Sequence, residues 1–470
     1  MPRPHYDRLT QLDNSFLVYE DAGPAGAMHV ASTQIHDATP LQRADGSLDI
    51  ERIEEYVLSR LDSIPRYRQR IHRTPLEGHP VWVDDASFNI HYHVRHTRLP
   101  HPGDERQLKR LVGRIFSQRL DRHKPLWEIW VVEGLEDNRF ALMSKVHHCM
   151  VDGVSGAELL AALLSPTPLE KPDPPPHWSP RPIPSGLALG TGEISRVAGA
   201  PVALADSLGR LVRNDDHSRH QLAERLRAMR RVVSDAGGAT PVSFNRPVGP
   251  HRRIDWTSLP IDEIKKIGRS LDATLNDVVL ATAAGAFGRF LSHERGSDLD
   301  DVRFRVMAPV SVRSKDQKGT LGNRVSAWTV DLPIAERDPL ERVSYVREKT
   351  AELKESRAAL GAESISQITE WTGAGLLSLM ARAVSVATPF NTVVTNVPGP
   401  QLPLYLLESR LLAIHPHVPL MGTLGIGIAL FSYDGALAWG LSADWDLVPD
   451  LHQLATGIED AFAELRAAVV

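Results

Sequence analysis

Two adjacent imidazoles, His147 and His148, close an alternating run that begins at Ala141, and Asp152-Gly153 follows four residues after the second ring. Histidine is the side chain best suited to take up and return a proton near neutral pH, since its unperturbed pKa is about 6.5. At the end of a strand, beside a turn, such a ring borders the place where a cleft can form. Successive side chains of a strand point to opposite faces, so only one of the two rings can face a given cleft. His148 shares its face with Val146, Ser144 and Leu142, and His147 with Lys145, Met143 and Ala141. The expectation is that His148 is a general base and that His147 packs or orients. Nucleophilic alternatives are poorly supported. No G-x-S-x-G turn presents a serine, and Cys149, the single cysteine, falls on the face opposite His148. A second polar group stands at Asn276. Thr274 and Asp277 have capping-box spacing, which puts Asn276 in the first turn of a helix. Free N–H groups and the helix dipole make that end positive, and an amide there can donate to an oxyanion.

The elements that must position these groups follow from pattern. Ala141 to His148 alternates as a strand, Asp152-Gly153 is a turn dipeptide, and Ser155 with Glu158 has the spacing that opens a helix. Upstream, Glu128 to Val132 and the turn Glu136-Asp137-Asn138-Arg139 predict a hairpin that delivers the histidines. Gln107 to Leu120 carries an apolar stripe at helical spacing, as does Leu48 to Leu61, which Ile64-Pro65 stops. Phe88 to His96 alternates and predicts a strand. On it His91 and His93 share one face and His96 the other, with no cysteine or close carboxylate to complete a set, so no metal site is expected. In the second half, strands are expected over Arg253–Leu259, Phe304–Val312, Val325–Leu332, Thr392–Val397, and the hairpin Leu424–Phe431 with Ala436–Ser442. Helices are expected over Ile261–Leu271, Thr274–His293, Pro339–Leu360, within Ser364–Val386, and over Asp450–Val469.

The segment His147-His148-Cys149-Met150-Val151-Asp152-Gly153 matches the HHxxxDG signature of the CoA-dependent acyltransferase superfamily. More narrowly, the chain resembles the bacterial wax ester synthase/diacylglycerol acyltransferase family nearly end to end. Leu9-Thr10-Gln11-Leu12-Asp13 with Phe16, Met28-His29-Val30, Pro125-Leu126-Trp127-Glu128, Asn276-Asp277, Pro309-Val310-Ser311-Val312-Arg313 and Asn396-Val397-Pro398-Gly399-Pro400 fall in that family's order. The resemblance implies an α/β fold of two chloramphenicol-acetyltransferase-like domains, each with a central mixed sheet, and an active-site tunnel at their interface. It implies acyl-CoA as co-substrate, no cofactor, and diacylglycerol or a long-chain alcohol as acceptor. It implies catalytic roles for His148 and Asn276, with His147, Asp152 and Gly153 in support and Trp127 and Asp277 near substrate, Trp127 as a wall rather than a reacting group. Asp152 would hold the histidine loop through an arginine: Arg66, Arg68, Arg70 or Arg313. The alternatives are a condensation-type acyltransferase fed by a carrier protein, and a lipid-binding relative without turnover.

Composition bounds the rest. A chain of 470 residues is long for one core, and 42% hydrophobic with 24% charged residues is ordinary for a globular protein. A net charge of -5 gives no reason to expect a nucleic-acid partner. The single cysteine excludes an internal disulfide and fits a reducing compartment. The longest uncharged stretch, Leu411 to Tyr433, is broken by prolines and glycines and is expected to be loop plus buried strand. Met1 to Glu20 lacks the apolar core of a signal peptide. The expected location is therefore cytoplasmic, peripheral to the inner membrane or to lipid droplets. The partition expected is an N-terminal domain 1–165, a proline-rich connector with an arginine-rich helix 166–240, able to lie on an anionic membrane surface, and a C-terminal domain 241–470.

Overall fold

The computed structural model describes residues 6–23, 25–150, 163–171, 174, 177–194, 238–311, 325–358 and 389–469. Two six-stranded mixed sheets form its frame. The first runs, in spatial order, Tyr405–Leu406, Ser409–His417, His29–Asp37, Arg139–His147, Trp127–Leu135 and Val94–Arg98. The second runs Val325–Leu332, Phe304–Ser311, Thr392–Val397, Ile426–Tyr433, Ala436–Asp444 and Arg252–Pro260. Most pairs are antiparallel. Val94–Arg98 runs parallel to Trp127–Leu135, and Thr392–Val397 runs parallel to both of its neighbours.

Local chemistry explains most of these elements. The histidine strand, Arg139–His147, turns back from Trp127–Leu135 through Asp137 and Asn138, both at positive φ (58° and 54°). That is the conformation a two-residue hairpin needs, and Asn and Asp tolerate it better than other side chains. Helix Glu105–Ser117 opens on a capping box between Asp104 and Gln107 and buries Leu108, Val112, Ile115 and Phe116. Those residues pack with Ile35 and Met143 of the first sheet and with Ile254 and Trp256 of the second, so one helix's apolar stripe cements both halves. Helix Leu275–Arg289 is buried almost all round, and its small residues allow close approach. A Cβ added at Gly288 would stand 2.2 Å from the Ile334 carbonyl oxygen.

The main departure from expectation lies in the uncharged stretch. It holds two strands, Ser409–His417 and Ile426–Tyr433, and they belong to different sheets. Ser409–His417 pairs antiparallel with His29–Asp37 of the first half. The boundary expected at 241 is thus crossed: a segment of the C-terminal part completes the N-terminal sheet. Side chains fasten it there. Ser409 Oγ donates to the Asp37 carbonyl at 2.6 Å, Thr33 Oγ1 meets His417 Nε2 at 2.9 Å, and Tyr433 Oη donates to the Leu411 carbonyl at 3.0 Å.

Two smaller corrections have local causes. Phe88–His96 is not a continuous strand. Asn89 accepts from the His91 amide and caps a one-turn helix, Ile90–His93, before Val94–Arg98 extends. The histidine strand ends at His147, and His148 opens a 3-10 turn through Met150. The Ser155–Glu158 cap, the arginine-rich helix and the helix expected within Ser364–Val386 lie outside the described residues. Among the described residues no helix is long and apolar enough to cross a membrane.

The seam made by the crossing strand is tight and buried, which yields two predictions. A Cβ at Gly440 would stand 1.6 Å from the Pro416 carbonyl oxygen of the crossing strand. Gly440→Ala should therefore lower stability by about 3 kcal/mol or more, seen as a reduced denaturation midpoint. At the same seam, burial lowers His36, His415 and His417 to about 3, so the folded protein holds all three neutral. Between that value and about 6.5 the unfolded chain binds protons that the native state refuses. Their contribution is intact above about pH 6.5 and is lost as pH falls, at about 1.4 kcal/mol per pH unit for each ring. The urea midpoint should drop between pH 7 and pH 5; an unchanged midpoint would contradict this account.

Candidate active site

The histidine strand is held from both sides. His147 lies opposite His29 in the register with His29–Asp37. The His147 amide donates to the Leu126 carbonyl at 3.0 Å, and the His148 amide donates to the Met28 carbonyl at 2.8 Å. The second bond carries the tie to the neighbouring strand's approach one residue past His147, and the residues from His148 coil into the 3-10 turn.

Over this corner lies the N-terminal helix, Gln11–Asp21, capped by Thr10, whose side chain accepts from the Asp13 amide. Phe16 and Glu20 stand one helical turn apart on it and face the motif together. The Phe16 ring sits 4.1 Å, centroid to centroid, from the half-buried His148 ring at 36°. Glu20 Oε2 lies 3.4 Å from His147 Nε2, and Glu20 Oε1 lies 3.6 Å from His29 Nε2. Arg122 binds the same carboxylate at 2.5 and 3.0 Å. His147, His29 and Glu20 are all at most 2% exposed. Pattern reading missed Phe16's contact, Glu20 and Arg122. The available signal was an acidic residue one helical turn after Phe16, just before Met28-His29.

Burial and charge divide the roles. Burial first, and the neighbouring His147 second, lower His148 to about 4, so near pH 7 only about one ring in a thousand carries a proton. Its Nδ1 is sealed from solvent without a hydrogen-bond partner among the described residues, which leaves Nε2 to meet a substrate. Glu20 is pulled the other way. Burial opposes its charge, but His147, Arg122 and His29 outweigh that and hold its carboxyl at about 2. Burial drives the Cys149 thiol well above its ordinary value, so it stays protonated and makes a poor nucleophile.

The remaining residues named from sequence fall as follows. Asn276 is half-buried in the first turn of Leu275–Arg289, as the capping spacing requires. Among the described residues no hydrogen bond joins it to His148. Asp277 is not free to contact substrate. It is 2% exposed, its Oδ2 accepts from the Thr274 amide and hydroxyl at 2.8 and 2.7 Å, and its Oδ1 accepts from Thr350 at 2.7 Å. Trp127 is a buried wall, stacked on His93 at 4.4 Å, with its indole N–H donating to the Tyr67 carbonyl at 2.8 Å. The histidines considered for a metal disperse: His91 goes to Glu54, His93 Nδ1 to the Trp127 carbonyl and His96 to Glu133. Arg66, Arg68 and Arg70 face Asp7, Asp62 and Asp85 respectively. Asp152, Gly153 and Arg313 lie outside the described residues, as do 151–162, 312–324 and 359–388. Two cavities among the described residues, one bounded by Arg70, His123 and Lys124 and one beside Trp127 and Lys145, are not lined by His148 or Asn276.

Comparison with known proteins places this corner. The wax ester synthase/diacylglycerol acyltransferase catalytic domain matches residues 9–279, and the C-terminal domain of the same enzymes matches 321–466. A Mycobacterium tuberculosis protein named as a diacylglycerol O-acyltransferase is 31% identical over 98% of this chain and 96% of its own length. One from Mycobacterium bovis, named likewise, is 32% identical over 98% and 99%. The wax ester synthase/diacylglycerol acyltransferase of Marinobacter aquaeolei VT8 superposes with a TM-score of 0.72 at 25% identity, over 98% of this chain and 99% of that one. The starter condensation domain of rhizomide synthetase shares the fold, with a TM-score of 0.56 at 11% identity over 99% and 94%. With two matched domains spanning most of its length, and an imidazole pair at the strand end where the HHxxxDG signature falls, the chain belongs to the wax ester synthase/diacylglycerol acyltransferase family.

Proposed function

We propose that the protein moves a long-chain acyl group from CoA to the hydroxyl of diacylglycerol, of a long-chain alcohol, or of both, by direct attack with His148 as general base. Membership in the family makes it an acyltransferase. The observation that supports the base assignment is the His148 ring itself: neutral, half-buried at the strand's end, with Nδ1 enclosed and Nε2 left over. A thioester needs little activation, because the departing thiol has a pKa of about 8.5. The alcohol is the reluctant partner, since it is almost never ionised near pH 7. As its oxygen bonds to the carbonyl carbon, its proton passes to His148 Nε2. The carbonyl oxygen takes up the negative charge and is met by the Asn276 amide and the positive end of its helix. Collapse breaks the carbon–sulfur bond, the imidazolium returns its proton to sulfur, and ester and free CoA result. Neither a cofactor nor a covalent enzyme intermediate is required.

Both substrates must be held together away from water, which would hydrolyse the thioester, and a passage between the two halves meets that need. The acceptors are lipids, so the encounter is proposed to take place at a membrane or lipid-droplet surface, reached peripherally from the cytoplasm. Asp152 is proposed to hold the motif loop, with Gly153 permitting the turn.

The assay uses purified protein with labelled palmitoyl-CoA and either diolein or hexadecanol. Neutral-lipid product is expected. Product formed only when acyl groups arrive on a carrier protein would favour the condensation-type reading, and binding without product a non-catalytic one. His148→Ala should cut kcat by about 10²–10⁴ with circular dichroism unchanged. Asn276→Ala should cut kcat by about 10²–10³ with KM for acyl-CoA little altered. Undiminished turnover in either variant would remove that residue from the mechanism.

A further inference from the structure

The N-terminal helix carries a carboxylate that the reaction as described does not use. Glu20 is 2% exposed and faces charged or titratable groups from every element around it. His29 comes from the adjoining strand and His147 from the histidine strand. Arg122 comes from the segment after helix Glu105–Ser117, and Arg119 of that segment donates to the Glu20 carbonyl. Lys145 stands in the same neighbourhood, adding positive charge around His29.

One hydrogen bond reports which ring nitrogen of His147 carries the hydrogen. The Cys149 amide donates to His147 Nδ1 at 3.2 Å. A nitrogen that accepts carries no hydrogen of its own, so the ring's proton must sit on Nε2. That nitrogen is buried, makes no hydrogen bond among the described residues, and has the Glu20 Oε2 charge 3.4 Å away. The ring thus spans two jobs. One end faces a carboxylate, and the other secures the backbone of the 3-10 turn His148–Met150 on which the reacting imidazole is mounted.

We infer that Glu20 is a positioning residue for acyl transfer: it fixes His147 as the Nε2–H tautomer, which binds the Cys149 amide through Nδ1 and so aims His148. This rests on the assignment of His148 as base. Orientation of one ring nitrogen by a partner at the other is the usual way a histidine's tautomer is set. Arg122 has its own share: it keeps the carboxylate ionised and turned toward the histidines, at 2.5 Å from Oε2.

Glu20→Gln keeps a polar oxygen facing Nε2–H, whereas Glu20→Ala removes it. In the full-length protein with palmitoyl-CoA and diolein, Glu20→Ala should lower kcat about 10- to 100-fold with KM for acyl-CoA changed less than about twofold. Glu20→Gln should recover most of that loss, a rescue that a purely structural ion pair with Arg122 would not show. Substitutions at His147 give a second test that leaves the buried carboxylate in place. The amide oxygen of His147→Asn reaches the Nδ1 position and can accept from Cys149, so it should retain far more activity than His147→Gln, whose amide mimics the other end. Long-range proton–nitrogen spectra of protein labelled with 15N-histidine, with the His147 signals found by their loss in His147→Asn, read the tautomer without any turnover. The Nε2–H form is expected in the wild type and in Glu20→Gln and should be lost in Glu20→Ala. Wild-type kcat in Glu20→Ala, equal damage from Gln and Ala, or an Nδ1–H tautomer in the wild type would each overturn the inference. An active His148→Ala would instead overturn the base assignment, so the two failures are separable.

Discussion

Strand His29–Asp37 is the constraint on which the rest of the molecule depends. On one edge it sets the register of the histidine strand, residue by residue from Asp37 opposite Arg139 to His29 opposite His147. On the other edge it receives Ser409–His417 from the far end of the chain. The two pairings share one backbone, so the position of the imidazole pair is a property of the whole fold. A slip of one residue in either ladder would turn every side chain of that strand to the opposite face. The seam guards against this with dry packing and specific bonds: His417 on Thr33, His415 stacked on Trp256 at 4.6 Å, and His36 on Phe140 at 5.1 Å.

Much of this was legible in sequence where its cause is local. The hairpin before the histidines announces itself through Asp137-Asn138, which accept positive φ, and the helix at Leu275 through the Thr274–Asp277 spacing. The same spacing commits Asp277 to its own helix end, and Thr350 takes its other oxygen. Val325–Leu332 and Thr392–Val397 appear within their expected limits because β-branched runs between breakers have few other options.

What escaped was non-local. Thr33 and His417 are 384 residues apart, and nothing near either names the other. An uncharged run studded with proline looks like loop until its partner strand is in view; Pro416 is tolerated because the short strand Tyr405–Leu406 pairs only with Ser409 and Arg410 and leaves that side of Pro416 outside its ladder. His148 is expected to end the strand, yet the 3-10 turn begins at it, one residue beyond. Phe16 entered only through the family resemblance, and nothing in the local pattern marked Glu20. Their meaning arises only when that helix docks on the motif, where one ring meets His148 and one carboxylate meets His147.

The crossing strand also has a consequence for how the protein comes into being on the ribosome. Chains are made from the N-terminus at about 5–20 residues per second, and domains ordinarily fold as they emerge. Here the edge of His29–Asp37 that awaits Ser409–His417 stays bare until residue 417 has emerged, an interval on the order of tens of seconds. Throughout that time the nascent first half presents an open β-edge, the kind of surface to which holdase chaperones and stray strands attach. The first sheet is therefore completed late, when Ser409–His417 arrives.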